Sequence, residues 1–298
     1  MPGREDADRR PLLIAGVTAL TMIAFAANSV LCRMALGLEL IDPLSFTTLR
    51  LGSGALALAV IVLRTGRPIA NREAAGSWRS GLALFAYAAA FSLAYISLSA
   101  GMGALILFGA VQVTMIGAAL ASGERLGPWQ WTGLIAAVGG LVYLVLPGIS
   151  APSPSGALLM ATSGIAWGVY SVCGRRVSAP VRMTAGNFAR AAPLALAVSL
   201  LGLAAVPAHA KGAGVALALV SGIVTSGLGY VLWYRALRGL TTTQASIVQL
   251  TVPVIAAFGG VLFLSERFSL RLVVASALIL GGVALTVLRT QRPEGALT

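Results

Sequence analysis

The sequence predicts an all-α integral membrane protein of ten transmembrane helices, arranged as two inverted five-helix repeats. Three observations predict this fold: the composition, the spacing of the apolar runs and an internal repeat. The 298 residues are 58% hydrophobic and only 10% charged, with a mean hydropathy of +0.90. Soluble domains carry about 25% charged residues. Ten spans with short connections leave no room in this chain for a soluble catalytic domain.

The apolar runs place the individual helices. Crossing the hydrocarbon core takes about 20 apolar residues, and loop signals separate ten runs of roughly this length. The predicted spans are 12–32, 44–63, 79–99, 102–121, 129–147, 156–174, 184–206, 213–235, 242–264 and 271–288. The first run has no Ala-x-Ala cleavage pattern near its end, so we interpret it as a retained helix and not as a signal peptide.

The internal repeat relates the two halves of the chain at an offset of 142 residues. Three signatures recur at this offset: Ser29-Val30 with Arg33 and Ser171-Val172 with Arg175, Glu124-Arg125 and Glu266-Arg267, Gly139-Gly140 and Gly281-Gly282. Each half has five spans, an odd number, so the second half enters the membrane from the opposite side. Inverted repeats are typical of membrane transporters. A Pro/Ser/Gly-rich stretch at the midpoint divides the chain into repeat 1–147, linker 148–155 and repeat 156–298.

The basic residues predict the orientation. With the N-terminus inside, 15 of the 21 Lys and Arg residues fall in cytoplasmic segments, four fall on the opposite side and two lie inside spans. This bias places both termini in the cytoplasm and the protein in the bacterial cytoplasmic membrane. The net charge of +12 therefore reflects orientation and contact with anionic lipid, and it does not indicate a nucleic-acid partner.

The acidic residues are informative by their positions. All nine carboxylates and the single histidine, His209, fall in tails or loops. Ion-coupled transporters usually place such groups inside the membrane, so the sequence favours facilitated movement without ion coupling. We find no motif for an enzyme, a metal site or a cofactor.

Polar side chains inside the spans are the first candidate site residues. Arg50 and Arg190 lie at equivalent depths in spans 2 and 7, which indicates either a structural role or an anchor for a substrate carboxylate at each mouth. Gln112 and Gln249 lie near the middle of spans 4 and 9 and serve either as interhelical contacts or as cavity walls. The remaining polar candidates are Asn28 and Asn187.

Aromatic side chains are the second group of candidates. Tyr87, Phe91 and Tyr95 form one stripe on span 3, and Trp167 and Tyr170 lie on span 6. Such a stripe is often simple packing, but Tyr and Trp at mid-membrane favour a protein-lined cavity. Trp167 is the first choice, because the equivalent residue of the first repeat is Phe25 and the repeats differ there. Pro193 and Pro253 are candidate hinges, although either could form a static kink.

The segment from Tyr234-Arg235-Ala236-Leu237 through Pro253 and Leu264-Ser265-Glu266-Arg267 to Gly281-Gly282 resembles the EamA domain, with a first-half echo from Gly123 to Gly140. This domain is the repeat unit of the drug/metabolite transporter superfamily. The resemblance covers essentially the whole chain, and it implies ten helices in two inverted repeats and export of small metabolites. Within the superfamily the chain is similar to YddG-type exporters of aromatic amino acids. Glu124 and Glu266 match the family's loop glutamates, interpreted as structural residues at helix ends.

These observations support a hypothesis of amino-acid export by alternating access, with lipid and a small-molecule substrate as partners and without a cofactor. The oligomeric state stays open, and a monomer is compatible with the sequence. A broader exporter of drugs or metabolites is the first alternative, although the absence of acids inside the membrane disfavours cations. The second alternative, from a different class, is a membrane scaffold that transports nothing.

Overall fold

The computed structural model describes residues 3–64, 76–121, 123, 127–146, 151–174, 179–204, 207–237 and 248–288, and these residues are helical almost throughout. A π-helical segment, Ser221–Leu228, joins two of the helices without a break. The helices are α1 (Gly3–Gly37), α2 (Pro43–Arg64), α3 (Trp78–Ala94), α4 (Ala100–Ala121), α5 (Pro128–Val145), α6 (Pro154–Gly174), α7 (Pro180–Gly202), α8 (Gly212–Val220), α9 (Gly229–Leu237), α10 (Thr251–Leu264) and α11 (Leu270–Leu288).

Several helices are suited to lie in lipid. Six in the described part of the chain are long and apolar enough to cross a membrane: Leu13–Gly37, Pro43–Arg64, Ala100–Ala118, Pro154–Gly174, Pro180–Gly202 and Gly212–Ala236. Shorter apolar helices lie at Trp131–Leu144, Thr251–Leu264 and Leu270–Gly282. Large apolar side chains such as Leu56 and Leu262 are exposed on the outer surface. The prediction of an all-helical membrane protein is therefore confirmed, while the count of ten crossings and the side of each terminus stay predictions.

Helix packing joins the first half of the chain to the second. Helix α2 packs on α7, α4 on α10 and α5 on α11, so helices of the same rank in each half contact each other. The third span of each half packs on the first span of the other half. Helix α3 packs on α6, and the continuous rod of α8, the π-helical segment and α9 packs on α1. The bundle is thus a single unit in which each half completes the core of the other.

The repeated glycine pairs mark the contact between α5 and α11. A β-carbon on Gly140 would lie 2.8 Å from Leu278 Cβ and 3.1 Å from the Ile279 backbone nitrogen. On α11, Gly282 fits in the same way against the backbone of Gly133 and Ala137. Small residues let membrane helices approach closely where no hydrophobic force drives association. The second glycine of each pair therefore has a packing role in both halves.

Helix α2 begins with a capped turn. Asp42 Oδ1 accepts the backbone N–H groups of Leu44 (3.1 Å) and Ser45 (2.9 Å), and Pro43 occupies the first helical position. Oδ2 accepts the N–H of His209 (3.2 Å), which ties the loop before α8 to α2. Burial alone would raise the pKa of this carboxyl, but the hydrogen bonds from Ser45, His209 and Leu44 outweigh burial and lower the pKa.

The two prolines named as hinges differ in their settings. Pro193 lies inside α7, which continues to Gly202. Pro253 lies in the first turn of α10, and not near the middle of a helix as the predicted span 242–264 had placed it. A proline in a first turn lacks only an N–H that would have no partner in the helix. Residues 242–247 lie outside the described residues.

Candidate functional site

A cavity lies at the centre of the bundle, where both halves contribute walls. It is lined by Phe25, Asn28 and Ser29 of α1, Tyr87 and Phe91 of α3, Leu107 and Phe108 of α4, Trp167 of α6, Thr225 of the π-helical segment and Tyr230 of α9. The volume of this cavity, as the space open to the centre of a water molecule, is about 20 Å³. That is room for one or two waters. Its walls must therefore move apart before a molecule as large as an amino acid can enter.

Aromatic rings form most of the wall. Trp167 is at the centre of the group, with its ring centroid 4.8 Å from Tyr87, 4.8 Å from Tyr230 and 6.0 Å from Phe25. The rings meet edge-on or tilted, the geometries that aromatic pairs prefer. The wall therefore offers ring faces and edges that suit an apolar or aromatic side chain.

The π-helical segment supplies polar groups to the cavity wall. The Ser221 hydroxyl donates to Asn28 Oδ1 (2.7 Å), and the Thr225 hydroxyl lies 3.0 Å from the same oxygen. Asn28 Nδ2 in turn lies 3.5 Å from the Tyr87 hydroxyl. Such segments widen the helix by one residue per turn and occur frequently at functional sites. Asn28 is thereby fixed on the cavity wall by two hydroxyl donors.

Arg50 lies immediately behind this wall. Its side chain is 1% exposed. Nε donates to the Ser226 hydroxyl (2.9 Å), and Nη2 donates to the hydroxyls of Tyr87 (3.0 Å) and Tyr230 (3.5 Å). The guanidinium carbon also lies 5.2 Å from the centroid of the Tyr87 ring and 5.0 Å from that of Phe91. Arg50 is therefore deep in the bundle and not at a mouth of the pathway.

Four of the sequence-predicted site residues line the cavity: Asn28, Tyr87, Phe91 and Trp167. Tyr170 packs one layer further out, 5.4 Å from Trp167 between ring centroids. Tyr95 is also buried behind the wall, where its hydroxyl donates to the Ala100 carbonyl (3.2 Å) at the start of α4.

The remaining predicted residues lie away from the cavity. Gln112 and Gln249 are buried, but neither residue lines the cavity. Asn187 lies at one end of the bundle, where its Oδ1 accepts the backbone N–H of Ser77 (3.0 Å) just before α3. Arg190 is half-buried near the same end and donates to the Gly186 carbonyl (2.8 Å).

The opposite end of the bundle is held by a contact between the halves, the Arg33–Glu266 bridge. Arg33 Nε lies 3.3 Å from Glu266 Oε1, and Arg33 Nη1 donates to the carbonyls of Tyr95 (3.0 Å) and Ile96 (2.9 Å). Glu266 also accepts the N–H of Ala100 (2.9 Å), the first residue of α4. Glu266 therefore stabilises a helix end, and it also joins α1 to the loop between α10 and α11. Glu124 lies outside the described residues.

Sequence reasoning missed the hydroxyl groups of the π-helical segment and did not choose Tyr230. One signal was present: Ser221 and Thr225 are four residues apart in the middle of an apolar run, a spacing that places both on one face of a helix, and Ser226 follows directly. Small polar residues in such a run are easily assigned to helix packing.

Comparison with known proteins assigns the chain to a family. The model of the EamA-like transporter family matches it twice, at residues 12–146 and 154–288. The chain belongs to the EamA-like transporter family. This confirms the resemblance found in the sequence, and it makes the protein a multi-pass membrane transporter and not an enzyme.

The relatives agree with that assignment. An uncharacterized protein of Pseudomonas aeruginosa is 54% identical over 278 residues, which cover 93% of this chain and 94% of its own length. A protein of Streptantibioticus cattleyicolor described as a probable terminal-alkyne amino-acid exporter is 26% identical, with 91% of this chain and 92% of its own covered. A chain in a solved crystal structure matches with a TM-score of 0.64 at 22% identity, over 94% of this chain and 99% of its own. That likeness shows a shared fold.

Proposed function

We propose that this transporter exports amino acids with aromatic or other apolar side chains, and related small metabolites, across the cytoplasmic membrane. The observation that carries the proposal is the central cavity, where aromatic rings of both halves face uncharged hydrogen-bonding groups. A zwitterion that leaves water needs hydrogen bonds to replace its hydration, and an apolar side chain gains from the aromatic wall. The name of the Streptantibioticus relative, an amino-acid exporter, supports the same substrate class.

Alternating access is the mechanism that we infer for this site. The proposed topology has ten spans in two inverted repeats, 1–147 and 156–298, joined by 148–155, with both termini inside. It places the Arg33–Glu266 bridge at the outer end of the bundle and the contact between Asn187 and Ser77 at the inner end. Opening at one end requires those contacts to break while the contacts at the other end persist. Pro193 in α7 and the irregular π-helical segment are positions where bending would cost the least.

Transport without ion coupling is part of the proposal. The described residues that line the cavity include no carboxylate and no histidine to carry a proton. The proposal therefore predicts that an imposed proton gradient does not drive accumulation beyond equilibrium. Accumulation that followed the proton gradient in proteoliposomes would contradict uncoupled transport, but it would leave the substrate class standing.

The direct test is counterflow of labelled phenylalanine in proteoliposomes that contain the purified protein. We expect uptake that exceeds that of empty liposomes and that competes with other apolar amino acids but not with glutamate or lysine. No uptake across a panel of amino acids would overturn the proposal. A scaffold without a transport pathway would give this negative result, and a broader exporter would also move quaternary ammonium compounds.

A further inference from the structure

The charge at the centre of the molecule has no carboxylate partner among the described residues. Arg50 is 1% exposed and its hydrogen-bond partners are the neutral hydroxyls of Ser226, Tyr87 and Tyr230. Nη1 has no hydrogen-bond partner among the described residues. This guanidinium thus keeps unused donors in a buried setting.

The carboxylates of the described core are bound elsewhere. Asp42 caps α2 and holds the N–H of His209, while Glu266 is paired with Arg33 and the N–H of Ala100. Cation–π contacts with Phe91 and Tyr87 offset part of the cost of burying Arg50. Buried charges in proteins are generally paired with an opposite charge. An anion that reached Arg50 would therefore bind with an unusually large electrostatic gain.

The cavity brings a substrate to this charge. Tyr87, Phe91 and Tyr230 each contact the Arg50 guanidinium and also line the cavity. These side chains separate the guanidinium from the cavity, so a carboxylate could reach Arg50 once the cavity walls move apart to admit a substrate. A carboxylate fits the planar donor edge of arginine with two parallel hydrogen bonds. An ammonium group would meet the same positive charge and neutral acceptors only.

We propose that Arg50 binds the substrate's carboxylate and that the transporter selects organic carboxylates with an apolar or aromatic side chain, the ammonium group being dispensable. This inference rests on the proposed function only in placing the substrate in the central cavity. It extends the substrate class from amino acids to their deaminated or N-blocked relatives. It also gives Arg50 a role that its repeat equivalent, Arg190, does not share.

Arg190 provides the matched control. It occupies the equivalent position of the second half, but it is half-buried, donates to the Gly186 carbonyl and lies 6.0 Å from the centroid of the exposed Trp78 ring. Neither Gly186 nor Trp78 lines the cavity. Removal of its charge should therefore leave carboxylate binding unchanged.

The test compares four ligands that share a phenyl group and differ in charge. Purified full-length protein is heated with 3-phenylpropionate, phenylalanine, phenylalanine methyl ester or phenethylamine, and the unfolding temperature is recorded. The two carboxylates should raise the unfolding temperature in a concentration-dependent manner, whereas the ester and the amine should not. Equal stabilisation by all four ligands, or no stabilisation by either carboxylate, would overturn the inference.

The variants locate the effect at Arg50. R50Q should lose at least about 30-fold in affinity for 3-phenylpropionate, because a buried charge pair has lost one partner. R50K, which keeps the charge without the planar fork, should fall between wild type and R50Q. R190Q should bind 3-phenylpropionate with the same affinity as wild type. A purely structural arginine would leave ligand selectivity unchanged in R50Q, whatever the substitution does to the unfolding temperature of the ligand-free protein.

The outcomes separate this inference from the proposed function. If labelled phenylalanine exchanges in proteoliposomes and R50Q exchanges it with the same KM, export stands and the role of Arg50 is wrong. If no amino acid exchanges but 3-phenylpropionate stabilises wild type and not R50Q, amino-acid export is wrong and the carboxylate site stands.

Discussion

Phe25 and Trp167 occupy equivalent positions in the two repeats and meet edge to face at the centre of the molecule. Their ring centroids are 6.0 Å apart and their planes differ by 84°. Both rings also contact Tyr230, at 5.9 Å and 4.8 Å between centroids. The two halves therefore meet at a pair of unlike residues, and only the second half brings an indole with an N–H donor to the cavity.

Replacement of Trp167 should change substrate recognition more than stability of the fold. W167F makes the two halves alike at this point and removes the N–H donor, so the KM for phenylalanine should rise about 3- to 10-fold. W167A should raise the KM further because it also removes the ring at the centre of the aromatic wall. Counterflow in proteoliposomes measures both. W129F is the control, since Trp129 is 55% exposed on α5; an unchanged KM in both Trp167 variants would refute a direct contact with substrate.

The sequence predicted the all-helical class and four residues of the cavity wall for a simple physical reason. A tyrosine, tryptophan or asparagine in the middle of an apolar span has few acceptable positions, because lipid offers no partner for its polar group. Asn28, Tyr87 and Trp167 were chosen on that ground and line the cavity. The stripe spacing then added Phe91, which shares a helix face with Tyr87.

The same reasoning could not predict how far along each helix the cavity extends. Gln112 lies one turn beyond Phe108 on the same face of α4, but the cavity ends before it reaches this side chain. Tyr95 follows the stripe of α3 but stands at its C-cap, where it bonds the Ala100 carbonyl. Ser221 and Thr225 contact Asn28 at the ordinary helical spacing of four residues, but that spacing alone does not say which neighbouring helix their hydroxyls face.

Loss of the Arg33–Glu266 bridge should open its end of the bundle. E266A removes the partner of Arg33 and of the Ala100 N–H together, and we expect Ser29 on the cavity wall to become more accessible. The measurement is the labelling rate of S29C by a membrane-impermeant thiol reagent in a C173S background, because Cys173 is exposed and Cys32 is buried. The rate should rise about 10-fold. R267A changes the exposed neighbouring arginine and should label as the unaltered S29C protein does; equal rates in E266A would contradict the role of the bridge.

The same labelling should depend on pH through Glu266. Burial raises the pKa of this carboxyl above its ordinary value, although the Ala100 N–H and the charge of Arg33 act in the opposite direction. An open end exposes Glu266 and returns its pKa to about 4.3. Glu266 therefore binds a proton more tightly in the closed, bridged form than in the open form, and protonation stabilises the closed form. This stabilisation is complete below about pH 4.3 and is lost as pH rises through the raised pKa.

We therefore expect S29C labelling to increase between about pH 4.3 and neutrality by more than the thiol chemistry alone provides. E266Q keeps the hydrogen bonds without a titrating group and supplies that chemical baseline. Identical pH profiles for S29C and S29C/E266Q would show that Glu266 does not titrate with opening.

The contact between Gly222 and α2 leaves no room for a larger residue at position 222. A β-carbon at Gly222 would overlap the Ser53 hydroxyl and the Arg50 carbonyl, and a backbone carbonyl inside a helix cannot yield. G222A should therefore push the π-helical segment away from α2, lengthen the Arg50–Ser226 hydrogen bond and lower the free energy of unfolding by about 1–3 kcal/mol. Thermal unfolding in detergent measures the change. G52A is the matched control on α2, because a β-carbon there has no atom within 4 Å and alanine favours the helix. If G222A unfolds at the same temperature as G52A, the two segments are not held as closely as their geometry requires.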